Sequence, residues 1–145
     1  MGARLTPGTP ELRALLGDLR VVAVVGLSSK PWRASYSVAE YLQAHGYRIV
    51  PVNPTETEVF GERAYPTVLD VPRDVGVEIV DVFRRAEHTP EVARQAVEVG
   101  ARLLWLQEGI VNEETARIAT EGGLDVIMGV CIRHVRDALI GSEDG

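Results

Sequence analysis

The chain has 145 residues, enough for one domain with a single substantial core, and its 46% hydrophobic and 25% charged residues describe an ordinary soluble globule. A net charge of −6 excludes a basic nucleic-acid footprint over the whole surface. No apolar run approaches a membrane span, and the opening MGARLTPGTPELR lacks the apolar core of a secretion signal. The single cysteine, Cys131, excludes an internal disulfide and suits a reducing compartment, so the expectation is a cytoplasmic domain covering 1–145.

Thr9-Pro10 opens a predicted helix, TPELRALLGDL. In RVVAVVGL the apolar run is continuous rather than alternating, which marks a strand buried on both faces. SYSVAEYLQAHG then places Val38, Tyr41 and Leu42 at helical spacing, with Ser35 as the expected N-cap and Gly46 as the stop. YRIVPVNP is a second strand, ended by Asn53-Pro54. Residues 53–76 are too long for a plain connection, and an extended piece near 59–64 and a helical turn at 67–71 are expected there.

VEIVDVFRR is a third strand, in which Asp81 is expected to satisfy nearby backbone donors. TPEVARQAVEVG follows as a helix with Thr89 as its cap and Pro90 at its first position. ARLLWLQEG is a fourth strand with Trp105 in the core, and NEETARIATEGG a helix capped by Asn112. LDVIMGV makes the fifth strand and IRHVRDALI a closing helix. Strict alternation of strand and helix predicts an α/β fold: a Rossmann-like, doubly wound parallel sheet of about five strands with helices on both faces.

In such a sheet a ligand lies across the carboxyl ends of the strands, which singles out residues 26–33, 52–55, 83–88 and 106–110. The first of these, GLSSKPWR, feeds a helix N-terminus, whose free N–H groups and positive dipole end attract phosphate. Ser28, Ser29 and Ser35 add hydroxyls, and Lys30 and Arg33 add charge. Lys30 is the only lysine among 15 basic residues, and a compact ammonium suits a phosphate where a wide guanidinium fork does not fit.

The dinucleotide fingerprint is broken. Ser28 and Pro31 stand where its second and third glycines belong, and Val52-Asn53-Pro54 offers no carboxylate to a ribose. Both departures argue against NAD. The phosphorylated cofactor stays open, with Arg33 or Arg48 to meet its extra phosphate.

Three segments in register, AVVGLSSKPWRASYSVAEYLQAHGYRIVPVNP, VDVFRRAEHTPEV and WLQEGIVNEETARIATEGGLDVIM, resemble the coenzyme A-binding domain family. The likeness runs from about Val21 to Cys131 and is nearest to small stand-alone members; a similar domain begins the alpha subunit of succinyl-CoA synthetase. It implies that the first turn, Gly26, Ser28, Ser29, Lys30 and Pro31 with Arg33 beside it, cradles the pyrophosphate of coenzyme A or a short acyl-CoA. It further implies that Val52, Asn53 and Pro54 lie against the nucleotide, that Phe83 and Arg84 border the adenine or pantetheine arm, and that Gln107, Glu108 and Gly109 meet pantetheine. Departures are visible as well: Thr55 and Glu56 follow Pro54 where ligase members often carry a lysine, and MGVC, with Gly129 and Val130, replaces MDRC.

Catalytic residues are not evident. His88 reads as an exposed residue before a helix, His45 as a helix-end residue, and Cys131 with His134 as half of a metal site lacking its other half. Trp32, in the phosphate turn, either covers the ligand or packs on the first helix. The resemblance implies a binding module of carrier, sensor or accessory type, without the ligases' phosphorylated-histidine domain, and with neither nucleic acid nor membrane as partner. Two other readings stand beside it. One is an NADP-linked oxidoreductase drawing a proton from Tyr36, His88 or Glu108; the other is a regulatory interaction protein that has lost ligand binding.

Overall fold

The computed structural model describes residues 1–141; residues 142–145, the end of the expected domain, lie outside the description. In chain order the elements are α1 (Pro10–Asp18), β1 (Val21–Val25), α2 (Ala34–Ala44), β2 (Arg48–Val52), a hairpin of β3 (Glu58–Val59) and β4 (Glu62–Arg63), and β5 (Ile79–Val82). There follow α3 (Thr89–Val99), β6 (Leu103–Glu108), α4 (Glu113–Glu121), β7 (Asp125–Gly129) and α5 (Ile132–Leu139). Five strands form one parallel sheet in the order β2-β1-β5-β6-β7. This is a doubly wound α/β fold, as the alternation predicts.

Helices cover both faces, so the central strands are buried on both sides and read as apolar runs, broken in β5 by the buried Asp81. Val22, Val24, Ile79 and Trp105 pack with α1, α2 and α5, while Ala23, Val25, Val80 and Val82 pack with α3 and α4. The Trp105 indole N–H donates to the Val130 carbonyl at 2.8 Å, which joins β6 to the start of α5. At the far edge Val126 donates to Ala3 at 2.9 Å and Leu5 to Val126 at 2.7 Å, so the N-terminal residues extend the sheet beside β7. The expected extended piece at 59–64 is the β3–β4 hairpin, and the expected turn at 67–71 is a 3-10 turn, Val68–Asp70, closed by reciprocal Thr67 and Asp70 bonds. Among the described residues no helix is long and apolar enough to cross a membrane.

Three local expectations are corrected. Ser35 does not cap α2; it is buried, and its hydroxyl instead accepts from the Ser28 N–H at 3.1 Å. Thr89 is the first residue of α3 rather than its cap, and its hydroxyl donates to Ala86 at 2.7 Å, 2.7 Å from the Thr115 hydroxyl. Asn112, by contrast, caps α4 as expected, accepting from the Thr115 N–H at 3.1 Å. Asp81 satisfies no backbone donor: it is fully buried between Val24 and Trp105, and among the described residues neither carboxyl oxygen has a hydrogen-bonding partner. Neighbouring strands spend their own N–H groups on each other, leaving that side chain in an apolar layer. Burial holds its pKa well above the ordinary 3.8.

Candidate functional site at the end of the first strand

Strand order reverses between β1 and β5, since β2 lies on one side of β1 and every later sheet strand on the other. At this switch point the chain leaves β1 through Gly26, whose φ of 88° suits glycine. A Cβ there would lie 2.5 Å from the Phe83 carbonyl oxygen, so glycine lets the ends of β1 and β5 approach closely. The Gly26 N–H donates to Val52 at 2.7 Å, which ties the same point to β2.

Beyond Gly26 the turn is held largely by its own hydroxyls. Ser28 accepts from the Lys30 N–H at 3.1 Å, and Arg33 donates to the Lys30 carbonyl at 3.0 Å. From β2, Asn53 donates its amide to Leu27 at 3.0 Å and accepts from the Thr55 N–H and hydroxyl at 3.0 and 2.8 Å. Glu56 reaches across to accept from the Ser29 N–H at 2.9 Å. No side chain caps the start of α2.

These contacts shape a cavity of about 420 Å³. Gly26, Ser28, Lys30, Arg33, Asn53 and Phe83 line it, together with Ala34, Ser35, Thr55 and Glu56. Of the predicted residues, Gly26, Ser28, Lys30 and Arg33 from the first turn and Asn53 after β2 therefore share one space with Phe83 after β5. Others stand apart. Val52 and Arg84 line a separate groove of about 190 Å³ with His88. Glu108 lines a cavity of about 360 Å³ with Gly129, Val130, Cys131 and His134. Gln107 is buried and its amide oxygen accepts from the Ile132 N–H at 3.2 Å, anchoring the start of α5. Pro31 and Pro54 are exposed, and Gly109 makes an exposed turn with a φ of 81°. Trp32 is 76% exposed, so it does not pack on the helix; its ring lies 6.0 Å from the Lys30 ammonium.

The geometry bears on the other readings too. Arg48 starts β2, at the sheet edge opposite the cavity, and its guanidinium pairs with Glu62 at 3.1 Å, so it does not serve a phosphate there. Tyr36 packs on Phe60, His88 lines the small groove, and Glu108 lines the third cavity, so these proton donors do not converge. Among the described residues no three His, Cys, Asp or Glu side chains are grouped to hold a metal ion. From the sequence Thr55 and Glu56 stand out only as departures from a pattern; in the structure Asn53 accepts from Thr55 and Glu56 accepts from Ser29, which brings both into the cavity lining.

Residues 20–136 match the model of the CoA binding domain family. The chain belongs to that family. An uncharacterized protein of Bacillus subtilis, YneT, is 41% identical over 127 residues, covering 88% of this chain and 93% of its own. A solved hypothetical protein from Pyrococcus horikoshii has a TM-score of 0.88 at 36% identity, covering 97% of this CoA-binding domain chain and 99% of that one. The ADP-forming acetate–CoA ligase II of Archaeoglobus fulgidus is 30% identical over 95 residues, 64% of this chain and only 14% of the ligase.

Proposed function

We propose that this CoA-binding domain protein binds coenzyme A or a short acyl-CoA, with the diphosphate on the turn at 26–33. One observation carries the reading: the cavity at the switch point combines two cations, Lys30 and Arg33, with the uncapped N-terminal turn of α2. Family membership and the likeness to an acetate–CoA ligase support coenzyme A as the ligand. In this reading the nucleotide lies toward Asn53 and Pro54, and pantetheine runs past Phe83 toward Glu108 and Gly109. The protein then acts as a carrier, sensor or accessory subunit in the cytoplasm, with no catalytic machinery of its own.

Calorimetry with CoA, dephospho-CoA, NAD and NADP tests this directly. Measurable heat is expected for CoA, and NADP binding without CoA heat would reverse the assignment. Replacing Lys30 by Ala removes a charge-assisted contact and should weaken CoA by roughly tenfold. Unchanged affinity would remove Lys30 from the site.

A further inference from the structure

We infer that Glu56 is a resident competitor for the ligand's phosphate, so that the site selects for a doubly charged diphosphate group by requiring this carboxylate to be displaced. The inference rests on the diphosphate reading of the cavity. Its own ground is the bond from the Ser29 N–H to a Glu56 carboxylate oxygen at 2.9 Å. An anionic oxygen on a backbone N–H before a helix is the arrangement a phosphate oxygen adopts. One N–H has one proton to give, so carboxylate and phosphate exclude each other at Ser29.

The movable part is confined to the side chain. The Glu56 N–H is held by the Asn53 carbonyl at 3.2 Å, and Asn53 is itself fixed to Leu27 and Thr55, so the backbone under Glu56 stays in place. Charge sets the selectivity. With Glu56 in place the lining carries Lys30 and Arg33 against one carboxylate; a diphosphate brings two charges to the cations and offsets the lost contact. An uncharged group brings none, and leaves Glu56 on Ser29.

The test compares wild type with Glu56→Gln and Glu56→Ala by calorimetry, using CoA, inorganic pyrophosphate and adenosine. Gln keeps an acceptor for Ser29 but removes the charge, so E56Q should bind CoA and pyrophosphate about fivefold more tightly, with adenosine unchanged. E56A should show the same direction, and in wild type the Ser29 amide resonance should move when pyrophosphate is added. If Glu56 only braces the turn, E56Q matches wild type and E56A binds more weakly; that result overturns the inference. Pyrophosphate tightening without any CoA binding would uphold Glu56 and discard coenzyme A. Failure of pyrophosphate to bind any of the three proteins overturns the competition itself.

Discussion

Gly26 meets two independent demands, a φ of 88° and a Cβ position 2.5 Å from the Phe83 carbonyl. Gly46 meets only the first, with a φ of 92° and open space around its Cβ. Gly46→Ala should therefore cost about 1–3 kcal/mol of backbone strain and leave ligand affinity intact. Gly26→Ala adds a backbone clash at the cavity, so it should unfold at lower temperature than Gly46→Ala and lose CoA binding; thermal melts and calorimetry on the pair check this. Equal behaviour of the two variants would deny Gly26 its place in the site. Asp81 gives a residue-scale prediction about pH. Its folded pKa lies well above the unfolded 3.8, so the folded state holds the extra proton and stability falls as pH rises above 3.8 toward the folded value. Asp81→Asn removes this fall: as pH rises above 3.8 its urea midpoint should decline less than that of wild type. Parallel declines in the two proteins would show that Asp81 is not the group responsible.

At the scale of elements, Asn112 links two pieces of chain as well as capping one. Its side-chain oxygen accepts from Thr115 at 3.1 Å while its amide donates to the Ala86 carbonyl at 2.9 Å, fastening the 3-10 turn Ala86–His88 after β5 to the start of α4. Asn112→Ala loses a cap and a tether, and should lower stability by about 1–2 kcal/mol in urea unfolding. CoA affinity should hold, because the first-turn cavity touches neither residue. Asn112 was readable as a cap because its bond to Thr115 is local. Ser35 and Thr89 are also good cap formers placed near helix starts, yet the Ser35 hydroxyl answers to Ser28 seven residues back, and the Thr89 hydroxyl turns back to Ala86 and across to Thr115, 26 positions away. The five strands were legible because burial on both faces demands continuous apolar residues. The extension beside β7 was not, since Ala3 and Leu5 owe their pairing to Val126, far along the chain. For the same reason the first-turn residues could be named from sequence, whereas Glu56 entered the site through a bond to Ser29 across 27 positions.

Across the whole molecule, a small cationic cleft sits on an acidic protein: Lys30 and Arg33 line the cavity while the net charge is −6. An anionic ligand therefore feels attraction from near charges and repulsion from distant ones, and salt separates the two by range. The screening length shrinks from roughly 30 Å at 0.01 M to about 8 Å at 0.15 M. Over that interval the distant acids fade first, while contacts within a few ångströms keep most of their strength. CoA affinity should consequently stay level or rise between about 0.01 M and 0.15 M salt, opposite to the steep loss that follows when binding rests on many surface cations. Trp32 supplies the signal for this titration, being 76% exposed and 6.0 Å from the Lys30 ammonium, while Trp105 is sealed in the core. Lys30→Ala should weaken binding at every salt concentration and make the rise with salt more pronounced, since repulsion then meets less local attraction. A steep, monotonic loss of wild-type affinity over the same range would mean that the ligand binds a broad basic surface instead of this cleft.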